Sequence, residues 1–179
     1  MRRRQLLVLV SGATLSGCGF QPVYMPTASG KAGVAQRELA AVHVELIPDR
    51  PGQLLRQALQ QRFEMATGSS AYRYDLTVAF WITGEGIAIL PDTNTTRIRS
   101  IGNANWTLMA QNPGKTRLTS GTAKAANAIN IFDTQYFALD LENEAITRQI
   151  AEALADQITL QLAAYFRERT PTTPVATTS

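Results

Sequence analysis

The sequence predicts an α+β fold: a two-layer sandwich in the order β-α-β-β-β-α, with an antiparallel-rich four-stranded sheet and two helices on one face. Three observations predict it. Residues 72–83 alternate apolar and polar side chains with period two, the mark of a strand with one buried face. Two more strand-like stretches follow, each joined by a short turn. Before and after this block the apolar period shifts to that of a helix. Two amphipathic helices over one face of an antiparallel meander is the economical packing.

The elements follow in chain order. Ala41–Ile47 reads as a first strand closed by Pro48, with Val42, Val44 and Leu46 on one face and His43 and Glu45 on the other. A helix follows, with Asp49 as its cap and Pro51 in its first turn. Leu55, Ala58, Leu59 and Phe63 form its apolar stripe, and Gly68 suits its C-terminal end. Tyr72, Tyr74, Leu76, Val78, Phe80 and Ile82 then mark a long strand, while Arg73, Asp75, Thr77, Ala79, Trp81 and Thr83 take its other face. Gly84-Glu85-Gly86 predicts a bulge or bend. No helix follows this Gly-x-Gly, so it is not a phosphate loop.

Pro91–Asn94 reads as a turn. The next strand, Thr95 to Ala110, sets Ile98, Ala104, Trp106 and Leu108 against Arg97, Arg99, Asn103, Asn105 and Thr107. Asn112–Lys115 is a hairpin turn into an Ala-rich fourth strand, Thr116–Ile131. From Phe137 to Arg169 the period is helical, with Ile146, Ile150, Ala153 and Leu154 as a stripe that widens by Ile158, Leu160, Leu162, Tyr165 and Phe166. Asp140, Glu142 and Glu144 near its start and Arg167 and Arg169 at its end suit the helix dipole. The acidic trio is read as helix electrostatics, not as a catalytic set.

Composition narrows the function. The chain has 179 residues, 45% hydrophobic and 17% charged, which permits a packed core. No apolar run reaches the 18 residues that a membrane-spanning helix needs. A single cysteine and a single histidine exclude an internal disulfide, a multi-cysteine metal site and His-rich ligation. His43 reads as a solvated strand residue. The net charge of +3 includes Arg2, Arg3 and Arg4. Without that trio 14 basic residues meet 14 acidic ones, so the broad basic footprint of a nucleic-acid binder is missing.

The N-terminus supplies an address. Met-Arg-Arg-Arg precedes about ten apolar residues, the form of a secretory leader. Leu15-Ser16-Gly17-Cys18 then matches a bacterial lipobox. This reading implies cleavage before Cys18 and its acylation. Each buried methylene contributes about 0.8 kcal/mol, and two or more chains anchor stably. Gly19, where an aspartate would favour inner-membrane retention, favours the outer membrane. The organisation expected is a leader over 1–17, an acylated flexible tether over 18–38, one α+β domain over 39–169 and a disordered tail over 170–179.

Cys18-Gly19-Phe20-Gln21-Pro22-Val23-Tyr24, followed by β-α-β-β-β-α with a long final helix, resembles the LptE family of lipopolysaccharide-assembly lipoproteins. Tyr136-Phe137-Ala138-Leu139 is similar to its alphaproteobacterial branch. The resemblance implies a non-catalytic outer-membrane lipoprotein on the periplasmic side. It further implies that the protein helps assemble and plugs the LptD β-barrel, and that it binds lipopolysaccharide. No cofactor and no metal follow from it.

A lipopolysaccharide contact needs cations for phosphates and acidic sugars, and guanidinium groups fork onto phosphate. Arg97 and Arg99 share one strand face, and Lys115, Arg117 and Lys124 lie on or near the next strand. Arg97, Arg99 and Lys124 are the candidate lipopolysaccharide-binding residues. The competing reading is a lipoprotein carrier or auxiliary of phospholipid transport, which would need an apolar groove between helices and sheet. A hydrolase is unsupported: there is no nucleophile elbow, metal spacing or facing carboxylate pair.

Overall fold

The structure is a computed structural model that describes residues 33–64, 71–89, 95–130 and 136–169. Its elements are α1 (Val34–Leu39), β1 (Val42–Val44), α2 (Asp49–Glu64), β2 (Tyr74–Ile89), β3 (Thr95–Ala110), β4 (Arg117–Asn130) and α3 (Tyr136–Arg169). The leader, Cys18, most of the tether, Gly68, the Pro91–Asn94 turn and the C-terminal tail lie outside the described residues.

The four strands form one sheet in the order β1-β2-β3-β4. β1 runs parallel to β2, with Val42 opposite Tyr74 and Val44 opposite Leu76. The β2–β3 and β3–β4 pairs are antiparallel. The expected α+β architecture therefore stands, with one parallel pair at its edge. The bulge expected at Gly84–Gly86 appears as a register shift between Gly86 and Ala88.

Two boundaries differ from the sequence reading. The tether was expected to run to residue 38, yet Val34–Leu39 is helical. Ala35 and Leu39, one turn apart, are both buried. A six-residue helix is too short to stand alone and too short to show a period. Packing against α3 holds it. The first strand was expected to run to Ile47, yet β1 ends at Val44. Leu46 is 77% exposed, while Ile47 turns into the core. The chain breaks off the sheet there, and α2 opens at Asp49 with φ 65°, a conformation an aspartate tolerates.

Helices α2 and α3 lie side by side and run parallel. Arg50 pairs with Glu144 at 3.1 Å near the start of both. Twelve residues on, Arg62 Nε donates to Asp156 Oδ1 at 2.6 Å and its Nη2 to the Glu152 carbonyl at 3.1 Å. Between helices and sheet the core closes on Leu55, Leu59, Leu76, Leu108, Leu154, Ile158 and Leu162, all with no measurable exposure. Burying one such side chain is worth about 1.5–3 kcal/mol.

The predicted stripe of α3 is wider than expected and partly misplaced. Ala151, Ala155, Thr159 and Ala163 are buried, whereas Ala153 and Leu160 face solvent. Ala153 and Leu160 are seven residues apart and so share one line of the helix, opposite the sheet. α3 packs against β3, β4, α1 and α2 together, and that demands a broad apolar face. The Thr159 hydroxyl is satisfied by the Ala155 carbonyl at 2.6 Å.

Small residues let α3 sit close to the sheet. A Cβ at Gly102 would stand 2.2 Å from Ile150 Cγ2 and 3.2 Å from Leu154 Cδ1. A Cβ at Gly121 would strike the Trp106 ring at 2.7 Å. Ala123 and Ala125 of β4 are small for the same reason, since both lie under the helix.

Candidate functional site

The helices cover one face of the sheet, and among the described residues no element covers the other. Gly102, Ala104, Trp106 and Leu108 lie under the helices. The odd-numbered residues of β3 therefore point to the open side. Opposed residues of antiparallel strands share a face, so the rows of this surface follow from the register.

One row is Trp81–Asn103–Lys124, crossing β2, β3 and β4. On one side of it lie Ala79–Asn105–Thr122 and then Thr77–Thr107–Ser120. On the other side lie Thr83–Ile101–Ala126 and then Glu85–Arg99–Ala128. Arg97 stands opposite Asn130, one row further out. The face is mostly hydroxyl, amide and charged groups. Trp81, 45% exposed, is the main apolar surface of this face among the described residues.

The three candidate cations share this face, as expected, and all three are exposed. They do not form one compact cluster. Arg99 and Asn103, the partner of Lys124, are four residues apart on β3, about 13 Å along the strand. Buried Ile101 lies between them. Arg99 also stands directly across from Glu85. Lys115 sits in the β3–β4 turn with φ 40°, and Arg117, paired with Met109, lies toward that turn. The basic residues are thus spread over the length of the face.

Trp81 was read as a strand residue on the polar side and was not a site candidate. Its signal was present: an aromatic on the polar phase of a period-two segment. The glutamines of α3 left no signal. The Lys124 N–H donates to Gln157 Oε1 at 3.2 Å, and Gln157 Nε2 donates to the Lys124 carbonyl at 3.0 Å. Gln161 Nε2 donates to the Thr122 carbonyl at 3.0 Å, while its Oε1 accepts the Trp106 indole N–H at 2.9 Å. Asn127 Nδ2 donates to Gln149 Oε1 at 2.5 Å. Gln157 and Gln161 occupy backbone groups on the outer edge of β4, which would otherwise invite a further strand. They also fix the backbone from which Lys124 projects.

His43 lies on β1, with Nδ1 3.4 Å from Asp75 Oδ1 and its ring 5.2 Å from that of Tyr72. Asp75 also accepts from Gln111 Nε2 at 2.6 Å. These contacts tie β1 to β2 and to the far end of β3. Tyr74 joins another corner. Its hydroxyl donates to Glu38 Oε2 at 2.8 Å, and Arg73 Nη2 donates to the same oxygen at 2.9 Å. Burial, then the hydrogen bond to Glu38 and its negative charge, push the Tyr74 phenol above its ordinary value. Among the described residues no group of three His, Cys, Asp or Glu side chains gathers, and no helix is long and apolar enough to cross a membrane.

The sheet is thus clad by helices on one side, and among the described residues its other side presents polar rows. Comparison with known proteins supplies the family. The model of the LptE lipopolysaccharide-assembly family matches residues 39–162. The chain belongs to this family of non-enzymatic lipoproteins.

Solved structures share the fold. One, from Caulobacter crescentus and described as a lipoprotein, superposes with a TM-score of 0.61 at 17% identity, over 74% of this chain and 96% of that one. Rare lipoprotein B from Shewanella oneidensis gives 0.54 at 13%, over 72% and 96%. Lipoprotein B from Nitrosomonas europaea gives 0.51 at 11%, over 70% and 82%. No curated protein sequence matches the chain. Membership of the family supports a role in lipopolysaccharide assembly; the solved structures show the shared fold.

Proposed function

We propose that this protein is an outer-membrane lipoprotein, acylated at Cys18, that assists the assembly of an LptD-type β-barrel, sits in it as a plug, and binds lipopolysaccharide on its way to the outer leaflet. It works on the periplasmic side without chemistry of its own. The observation that carries this reading is the bare polar face of the sheet. In a domain of this family, such a face is suited to the wet interior of a large barrel. Arg97, Arg99 and Lys124 offer charge to phosphates and acidic sugars, and Trp81 offers a flat apolar surface to a sugar ring.

The phospholipid-carrier reading has less support. It needs an apolar groove between the layers, and that space holds Leu76, Leu108, Leu154, Ile158 and Leu162, all fully buried.

Affinity purification of the tagged chain from outer membranes, with mass spectrometry of protein and lipid, tests the proposal. Recovery of a large β-barrel with lipopolysaccharide is the expected result. Recovery of a monomer carrying only phospholipid overturns it. Reversing Arg97, Arg99 and Lys124 to Glu is expected to weaken retention of purified lipopolysaccharide several-fold. Unchanged retention removes these residues from the site and leaves the family assignment standing.

A further inference from the structure

One end of the domain carries an excess of positive charge, and it is the end at which the N-terminal chain joins the fold. Tyr74 marks the place. Its hydroxyl meets Glu38 of α1, its ring lies 5.2 Å from that of Phe166 near the end of α3, and Arg169 is close enough to act on its charge. The backbone N–H of Gln111 donates to the Arg73 carbonyl, and Tyr74 is opposite Ala110, so the β3–β4 turn is here too.

Around this corner stand Arg37, Arg73, Lys115, Arg117, Arg167 and Arg169. The acidic residues among the described ones of this end are Glu38, Glu45, Asp75 and Glu168. Glu38 is engaged by Arg73 and Tyr74, and Asp75 by His43 and Gln111. The opposite end is balanced, with Arg50, Arg97, Arg99 and Arg148 against Asp49, Glu85, Glu142 and Glu144.

The sequence just before Gly33 is cationic as well. α1 spans only about 9 Å, so Gly33 lies close to this corner. The residues from Gly19 to Ala32 carry Lys31 and no acidic side chain. They can reach roughly 50 Å when drawn out, and far less as a coil. A lipid at Cys18 would therefore hold this end, rather than the other, near a headgroup surface.

We infer that the cationic end formed by α1, the β3–β4 turn and the C-terminus of α3 is a docking surface for anionic phospholipid headgroups beside the lipid anchor. Its orientation rests on the Cys18 reading above. Basic residues held within a Debye length of an anionic leaflet each add to binding, and salt weakens the sum. The surface fixes which end of the domain faces the bilayer, a constraint that a long tether alone does not impose.

The test uses residues 18–179 with Cys18→Ser, so that acylation plays no part. Among the described residues the buried core runs from Ala35 to Phe166, and this chain contains all of it. It is floated with vesicles of phosphatidylethanolamine, with or without about one third phosphatidylglycerol. Binding to the anionic vesicles alone, lost in high salt, is expected. Lys115→Glu, Arg117→Glu and Arg167→Glu together should cut binding roughly tenfold or more, while Arg50→Glu with Arg148→Glu, at the opposite end, leaves it intact.

Urea midpoints check that both variants fold; should the triple variant unfold, Lys115→Glu alone is expected to lower binding. No preference for anionic vesicles, or equal loss from both ends, overturns the inference. Because the probe is unacylated, such a failure leaves the Cys18 anchor standing; absence of lipid on native Cys18 would be a separate result.

Discussion

Gly102 and Asn103 are neighbours on β3 and meet different surroundings. Gly102 faces α3 so closely that a single added carbon would stand 2.2 Å from Ile150 Cγ2. Asn103 faces the open side, in a row with Trp81 and Lys124. One face of the sheet is a packed solid, where volume decides everything. The other is a display, where the side chains can change without moving the backbone. Evolution of a partner surface is cheap on the second face and costly on the first.

Substitutions break this contrast in graded steps. The largest effect belongs to Leu154→Ala. Leu154 is fully buried between α3 and the sheet, and the cavity left behind should cost about 3–4 kcal/mol in urea denaturation. Gly102→Ala follows, with a loss of about 2 kcal/mol from overpacking against Ile150 and Leu154. A loss below about 0.5 kcal/mol would show that α3 can lift from the sheet freely.

Gln161→Leu comes next. It leaves the Trp106 indole N–H without its acceptor and the Thr122 carbonyl without its donor. A cost of about 1–2 kcal/mol is expected, and the bare β4 edge should raise self-association, read by light scattering.

Tyr74→Phe is expected to cost about 1 kcal/mol at neutral pH, through the lost bond to Glu38. It also changes the alkaline response. The folded phenol titrates above its unfolded value of 10.0. The unfolded chain therefore gives up its proton first as pH rises. The stability tied to the protonated phenol is complete below about pH 10 and is lost as pH climbs through the folded value. Urea midpoints from pH 8 to 11.5 should fall more steeply for the native chain than for Tyr74→Phe. Equal slopes would remove Tyr74 as the cause.

The smallest effect on stability belongs to the open face. Trp81→Ala should change the urea midpoint by no more than about 0.5 kcal/mol, while lowering retention of lipopolysaccharide. A large loss of stability instead would mean that Trp81 is a packing residue and that the two faces differ less than their geometry indicates.

Much of the site was legible in the chain. The period of β2 and β3 assigned each side chain to a face, and that placed Arg97, Arg99 and Trp81 together on the polar side. What periodicity could not convey was spacing across strands. Register depends on turn geometry and on the bulge between Gly86 and Ala88, and register is what set Lys124 level with Trp81 and apart from Arg99. The helix at Val34–Leu39 was invisible for a related reason. Six residues carry too little pattern, and their structure comes from a partner distant in sequence, α3. Gln157 and Gln161 looked like ordinary solvent-facing residues because only the docked β4 edge supplies their partners.

The sequence by itself determined the alternation of the strands, the two long helices and the layer order, because these depend on local period and turn residues. It also shows the lone Cys18 behind a short apolar stretch, a pattern that needs no fold to be read. The tertiary structure decided how the charges are shared out. Arg37, Arg73, Lys115, Arg117, Arg167 and Arg169 are scattered along the chain, and packing gathers them at one end. Charge balance is a sum over residues, but a surface potential depends on where folding puts each one.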